Sequence, residues 1–452
     1  MKEILIIKGG HPLKGTIKPV PNKNAILALL PLSILTTKTV TYENIPKSPD
    51  VLKMLTLLEK LGADIKVQKG WKETEGGKVK ITIKKIKTHK VDEKIGSTFR
   101  ASILLAGPLL ARRGKAYIPM PGGCVLGARS ISAHIENFNK LGIKATFDPK
   151  GVLFEETKKD KTSFLWQTEA SVTATENTIS YLAGREGKAI TVFNSATEPH
   201  VVQVQETLEK MGIKIEGKGS NKVTIKGLNF VKINGATVTV QPDFIDIAGT
   251  IVAAAVTRGK VRIRDAYVPQ VSEGIIQTIK KFSVPIQIEG RDIIVDATNA
   301  KLSIKKHINK FPLAGKNLPK LNAQPWPGFP VDALPMMVTL ACKTEGEILI
   351  QNWMYETGLN FANILNKLGA SIFISDPQRI LVKGPVNFNG GRVTSPGIIQ
   401  ATFALFLAGL SGTGTTIIEG SEVLKRRYPN IIEVYKKLGA DLKTKIVNDD
   451  YY

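Results

Sequence analysis

The chain has 452 residues, with 63 Lys and Arg against 39 Asp and Glu, a formal net charge of +24 and a mean hydropathy of −0.01. At about 100–200 residues per domain, this length predicts more than one core, and the near-zero hydropathy fits a globular protein in water. The longest apolar runs, "AILALLPLSIL" (25–35) and "ASILLAGPLLA" (101–111), fall short of the ~18 residues a membrane span needs, "MKEILIIKGG" carries no signal-peptide pattern, two cysteines exclude a disulfide framework, and no four ligands stand at zinc spacing.

Two elements alternate along the chain. "LLPLSILTTKTVTYEN" (29–44) reads as an apolar helix, a polar turn and a strand. "LEKLGADIKV" (58–67) reads as the end of an amphipathic helix, a glycine C-cap and an alternating strand. The pair recurs as "AGPLLARRGKAYIPM" (106–120) with "FNKLGIKATF" (138–147), and as "SYLAGREGKAITVFN" (180–194) with "LEKMGIKIEG" (208–217). It returns as "IVAAAVTRGKVRIRD" (251–265) with "IKKFSVPIQI" (279–288), and as "LACKTEGEILIQN" (340–352) with "LNKLGASIFI" (365–374). The sixth pair is "LFLAGLSGTGTTIIE" (405–419) with "YKKLGADLKT" (435–444). The cap position runs 62, 142, 212, 283, 369 and 439, and only Ser283 departs from glycine there. Glycine suits the place because the residue after a helix usually takes φ > 0.

Six such units predict an α/β protein. Helices such as "GTIVAAAV" (249–256) carry no charge and read as buried. The units form either an unbroken solenoid or two sets of three. The turn-prone "KPVPNKN" (18–24) and "VTVQPDF" (238–244) are the predicted crossings between two such sets.

Chemistry gathers in the loops that follow the strands of the apolar elements. If the repeats are alike, Cys124, Arg129, Glu198, Arg426 and Arg427 meet across a cleft. Cys124 stands in "PMPGGCVLGAR" (119–129), a glycine-rich setting that a packed thiol does not need, whereas Cys342 in "MMVTLACK" reads as core. Other readings stay open for several residues. Glu198 also suits a helix start beside Pro199, and Asp332 an N-cap after "PGFPV". Asp243 is either functional or an anchor of the crossing, and His134 and His200 read as packing or surface groups.

Seven segments carry a resemblance. They are "PNKNAIL" (21–27), "TFRASILLAGPLLARRG" (98–114), "PGGCVLGAR" (121–129), "ASVTATEN" (170–177), "ATEP" (196–199), "PGFPVD" (327–332) and "LKRRYPN" (424–430). In this order, over essentially the whole chain, they resemble the enolpyruvyl transferase family, in the branch whose cysteine loop reads PGGC-x-x-GAR. The resemblance implies a two-lobed inside-out α/β barrel with six βαβαββ-type repeats, three per lobe. Residues 21–241 would form lobe I with the cysteine loop, and residues 1–20 with 242–452 lobe II. It implies transfer of the enolpyruvyl group of phosphoenolpyruvate to the 3′-hydroxyl of UDP-N-acetylglucosamine, with release of phosphate, the first committed step of peptidoglycan synthesis. The implied partners are these two small molecules, without metal or organic cofactor, and the implied compartment is the cytoplasm. The lysines are spread along the chain and no basic block stands out, so no nucleic-acid partner is expected, and no membrane insertion either.

The resemblance also implies roles. Lys23 would grip phosphoenolpyruvate and Asn24 help hold both substrates. Arg100 and Arg129 flank the cysteine loop, and Arg426 matches a late phosphate-binding arginine. Cys124 would donate a proton, form a phospholactoyl adduct and react with fosfomycin. Ser130, Ile131, Ser132 and Ala133 would line the uridine group, with Glu169, Ala170, Ser171 and Val172 as a second nucleotide segment. Glu169 stands where the family usually has a basic residue. Asp332 would lie beside the sugar hydroxyl and Met354 near the sugar. The chemistry is consistent with this set: a compact trianion needs several fixed cations, and arginine forks suit phosphate and carboxylate.

Two positions depart from the family. Gly358 in "MYETGLN" and Gln400 in "GIIQATF" stand where arginines are general, and both arginines are expected to help bind the substrate carboxylate or to couple it to lobe closure. Lys425 and Arg427 are the candidates to compensate. The departures keep two alternatives open: a relative acting on another acceptor, and a non-catalytic UDP-sugar-binding protein.

Overall fold

The computed structural model describes residues 2–72, 76–120, 130–157, 162–304 and 318–447. They form two compact units. One holds the chain up to Val20 and from Pro242 onward, and the other runs from Pro21 to Gln241.

The Pro21–Gln241 unit has buried helical segments at its centre. These are Lys23–Leu29 continued by the 3-10 helix Leu30–Leu35, the 3-10 helix Arg100–Leu105 continued by Ala106–Arg113, and Val172–Ala183. Their apolar composition makes burial favourable all round. A missing side chain lets two of them meet. A Cβ on Gly107 would stand 2.2 Å from the backbone oxygen of Asn177. The Asn177 side chain then stitches the contact, accepting from the Gly107 N–H and donating to the Ile103 carbonyl, each at 2.8 Å. Arg112 satisfies helix-end and strand-end carbonyls together, donating to those of Ile34, Thr36, Ile83 and Lys84.

Three sheets pack on that core. Val40–Ile45 pairs with Thr237–Thr239 in parallel and with Gly77–Thr82 in antiparallel sense, and Asp64–Val67 completes the sheet. Lys115–Pro119, Gly151–Glu156 and Ile143–Asp148 form the second, to which Lys90 adds a single parallel bridge at Tyr117. Phe164–Trp166 runs parallel to Ile190–Phe193 in the third, followed by antiparallel Lys222–Lys226 and Lys214–Glu216. Burial alternates along the strands: in Gly77–Thr82 the residues Gly77, Val79 and Ile81 are buried while Lys78 and Lys80 are exposed.

The other unit repeats the plan. Phe244–Val256, Leu334–Cys342 and Ile399–Ser411 are its central helices, and every residue of the first two is buried. Lys260–Ile263 pairs with Lys14–Ile17 in parallel and with Asp292–Asp296, which carries Ile286–Glu289. Gly346–Gln351 pairs likewise with Lys320–Asn322 and Arg379–Gly384, which carries Ile372–Asp376. In the third sheet Thr415–Glu419 runs parallel to Gly391–Thr394, and the next strand comes from the other end of the chain. Lys2–Lys8 lies antiparallel between Thr415–Glu419 and Asp441–Val447.

Among the described residues, five of the six sheets have an edge strand parallel to its neighbour beside an antiparallel side, the sheet of Lys115–Pro119, Gly151–Glu156 and Ile143–Asp148 has only the Lys90 bridge in that place, and helices lie inside. This is the α/β inside-out barrel, built from six βαβαββ-type repeats. Two edge strands immediately precede changes of unit: Lys14–Ile17 before Val20–Pro21, and Thr237–Thr239 before Gln241–Pro242. All six cap positions have positive φ, namely +112, +75, +95, +59, +99 and +99° at Gly62, Gly142, Gly212, Ser283, Gly369 and Gly439. Ser283 tolerates this while its hydroxyl donates to the Ser303 carbonyl at 2.9 Å. Among the described residues no helix is long and apolar enough to cross a membrane.

Candidate active site

In the Pro21–Gln241 unit, Lys23 opens the helix Lys23–Leu29, whose first turn is capped by Asn22 accepting from the Ala25 N–H at 3.0 Å. The Lys23 ammonium lies 3.2 Å from an Asp50 carboxylate oxygen, with side chains 9% and 5% exposed. Charge burial of this kind demands a partner, and Asp50 was not legible in the sequence as that partner. Asn24 stands beside it, half-buried.

Arg100 starts the 3-10 helix Arg100–Leu105 and donates to the Ser130 carbonyl at 3.1 Å. That places Arg100 on the segment Ser130, Ile131, Ser132 and Ala133. Ser130 and Ser132 are exposed, Ala133 is half-buried, and Ile131 is buried as the N-cap of Ser132–Lys140. The segment is held against the second nucleotide candidate by His134. Its Nε2 is 3.0 Å from the Thr173 hydroxyl and its Nδ1 is 2.9 Å from the Asn177 amide. Burial, with Arg100 nearby, lowers the His134 pKa to about 3. The ring is neutral at physiological pH and acts as a brace, as its packing reading expects. Glu169 is exposed, Ala170, Ser171 and Val172 are half-buried, and Ser171 is the N-cap of Val172–Ala183.

Glu198 takes the N-cap position of Pro199–Lys210, although its side chain makes no cap hydrogen bond. It acts on Glu176 instead. Burial first, and then the Glu198 charge, hold the Glu176 carboxyl well above the usual carboxylate range. His200 approaches the same carboxylate at 4.0 Å. Nothing in "ATEN" announced a buried acid.

In the other unit, Asp332 sits in the 3-10 helix Val331–Ala333, ahead of Leu334–Cys342. Its side chain caps neither helix. Its carboxylate accepts from Arg427 Nη1 at 3.2 Å. Arg427 is 3% exposed and also forks onto Asp243, with Nε to Oδ2 at 2.8 Å and Nη2 to Oδ1 at 3.1 Å. Asp243 caps Phe244–Val256 by accepting from the Ile245 N–H at 2.9 Å. One turn on, Asp246 accepts from the Val20 N–H at 2.8 Å, and burial raises its pKa to about 7, with Asp243 adding to the rise.

Asp332 lines a pocket together with Asn352, Tyr355, Gly358, Ile398 and Gln400. The two positions that depart from the family thus face one pocket, and none of the described residues lining it is basic. Neither expected substitute reaches that role. Arg427 is spent on two aspartates, and Lys425 is bonded to Glu3. Met354 is half-buried and its N–H donates to Asn352 Oδ1 at 3.2 Å. Arg426 is half-buried at the end of the 3-10 helix Ser421–Arg426. Cys124 and Arg129 lie outside the described residues. Cys342 is buried in its helix, and burial pushes its thiol pKa up to about 12, which leaves it inert. No cluster of candidate metal ligands occurs among the described residues.

Over residues 7–435 the chain matches the family described as EPSP synthase (3-phosphoshikimate 1-carboxyvinyltransferase). It is 36% identical to a UDP-N-acetylglucosamine 1-carboxyvinyltransferase of Treponema denticola, over 97% of this chain and 99% of the relative. It is 35% identical to one of Bradyrhizobium diazoefficiens, over 97% of each chain. Among solved structures it is similar to the enolpyruvyl transferase NikO from Streptomyces tendae, with TM-score 0.85, 18% identity and coverage of 99% and 100%. An EPSP synthase of Acinetobacter baumannii follows with TM-score 0.73, also at 18% identity, over 99% of this chain and 100% of the other. At such identities the two structures speak for the fold.

Proposed function

The chain belongs to the enolpyruvyl transferase family, and from that premise we propose that it moves the enolpyruvyl group of phosphoenolpyruvate onto the 3′-hydroxyl of UDP-N-acetylglucosamine and releases phosphate, the first committed step of peptidoglycan synthesis. The observation that carries this reading is the 36% identity, along nearly the full length of both chains, to a transferase of that name.

The reaction needs three proton transfers, one off the hydroxyl, one onto C3 and one off C3, and a grip on a trianion. The hydroxyl oxygen bonds to C2 of phosphoenolpyruvate while C3 takes a proton. The tetrahedral product then loses a proton from C3 and expels phosphate, restoring the double bond. Asp332 is the base that takes the hydroxyl proton, a contribution of about 10²–10⁴-fold for a well-placed group. Its support is chemical: the carboxylate lines a pocket and is not consumed by a helix cap. Cys124 supplies the C3 proton, a task for a thiol of tuned pKa. Lys23, Arg100, Arg129 and Arg426 neutralise the phosphate, and arginine does so with two parallel N–H bonds. Asn24 helps hold both substrates. Ser130 to Ala133 and Glu169 to Val172 hold the nucleotide, the latter segment leading into the N-terminal turn of a helix, where N–H groups favour anions. Met354 lies near the sugar.

Phosphate release from phosphoenolpyruvate in the presence of UDP-N-acetylglucosamine tests the proposal. Folded protein should release phosphate only with both substrates present. No release with both present, or release from phosphoenolpyruvate that does not depend on this acceptor, would overturn it.

A further inference from the structure

Arg427 is among the most deeply buried cations of its unit, and its guanidinium is shared in an uneven way. Two nitrogens fork onto Asp243 and the third reaches Asp332. The fork is rigidly founded. Asp243 also accepts the Ile245 N–H as a helix cap, and its own N–H donates to the Val20 carbonyl at 2.8 Å. Asp332 is differently placed. It is 23% exposed at its side chain, lines the pocket, and accepts a hydrogen bond from Arg427. A buried arginine paired only for stability would be satisfied by Asp243. A substrate-binding arginine would present its donors to solvent, and at 3% exposure Arg427 does not.

We propose that Arg427 is the positioning residue for Asp332. It fixes the carboxylate in the orientation from which it takes the sugar hydroxyl's proton, and it touches no substrate itself. The inference rests on Asp332 being the base. The guanidinium is suited to the task because its planar fork can grip one carboxylate and still offer a third nitrogen at a set angle. A lysine at this place keeps the charge but cannot hold both aspartates in fixed geometry.

The test is a double-mutant cycle on the full chain with Arg427→Lys and Asp332→Asn, read by single-turnover phosphate release and by kcat and KM for both substrates. Arg427→Lys should lower kcat by roughly 10²-fold, the scale of a 1 Å misplacement, with both KM values little changed. In the Asp332→Asn background it should cost no further rate, because the group it positions is gone. Additive losses, an unchanged kcat, or a rise confined to KM would overturn the inference. Full turnover in Asp332→Asn alone would instead overturn the reading of Asp332 as base. If Arg427→Lys does not fold, Asp243→Asn loosens the same fork from its other side and should show the same loss confined to kcat. An Asp243→Asn protein with unaltered kcat would count equally against the proposal.

Discussion

A carboxylate at the edge of a pocket with no cation among its described lining residues sets an affinity problem for an anionic substrate. Asp332, Gly358 and Gln400 line the same space, and the nearby cations Lys425 and Arg427 are committed to Glu3 and to two aspartates. The two family arginines are not equally easy to restore. Gln400 stands in the first turn of Ile399–Ser411 and already carries a long side chain into the pocket. A Cβ at Gly358 would come within 2.1 Å of the Asn352 amide nitrogen. That amide is not idle, for its oxygen accepts from the N–H groups of Met354 and Tyr355 at 3.2 and 3.3 Å. Gln400→Arg should therefore lower the KM for phosphoenolpyruvate, because a charge-assisted contact contributes about 1.5–3 kcal/mol. Gly358→Arg should cost about 1–3 kcal/mol of stability through overpacking. Steady-state kinetics and thermal melts of the two single variants separate these effects. A KM unmoved by Gln400→Arg, or a Gly358→Arg protein as stable as its parent, would contradict this account of the pocket.

At the scale of elements, the helix Phe244–Val256 concentrates most of the buried charge of its unit. Besides Asp246, the twelve other residues of the helix are buried too, Thr250 the only one among them with a polar side chain, and Asp243 and Asp246 stand at its start. Negative groups favour a helix N-terminus, yet burial dominates at Asp246 and lifts its pKa to about 7. A raised folded-state pKa means that ionisation is easier in the unfolded chain. The contribution of Asp246 to stability is thus full at acid pH and is lost as pH climbs from the ordinary carboxylate range to about 7. Asp246→Asn keeps an oxygen for the Val20 N–H and removes the titration. Its melting temperature relative to the parent should be more favourable at pH 8 than at pH 5. A difference that does not change with pH would show that burial of Asp246 is not what governs its charge. This network was only partly legible in the sequence. "VTVQPDF" reads as a crossing because turn residues act locally. The partner on the other side, Arg427, is 184 residues away from Asp243, and local pattern says nothing about it. The caps show the opposite case. Positive φ at a helix end is a local demand, so five glycines marked it in the sequence, and Ser283 was found by register alone. Lys23 pairing with Asp50 and Glu176 facing Glu198 belong with Arg427: long-range charge contacts that leave no periodic trace.

At the scale of the whole chain, the sixfold repeat is legible because each repeat buries the same two helical faces, and its last sheet draws a strand from far away in the sequence. Among the described residues, Asp441–Val447 is the last strand of the sixth repeat, and it does not pair with Thr415–Glu419 directly. The place between them is taken by Lys2–Lys8, which ladders to Thr415–Glu419 on one side and to Asp441–Val447 on the other. Leu5 and Ile7 of that strand are fully buried. The two ends of the chain are therefore welded within one sheet, and folding of that unit has to wait for contacts between its first and last strands. Such non-local pairing is slow to form, because loop closure precedes the gain from contact. Leu5→Ala should destabilise the unit containing residues 242–447 by about 2–5 kcal/mol, the usual range for a buried leucine. Deleting residues 2–8 leaves two strands with no shared neighbour and should prevent that unit from forming a cooperative core. The Pro21–Gln241 unit has a separate apolar core, so limited proteolysis of the truncated protein, read by mass spectrometry, should first consume the 242–447 region and spare 21–241. Equal digestion of both regions would mean that the second unit cannot stand without the first. Intact protein after deletion would mean that the N-terminal strand decorates the sheet rather than completing it.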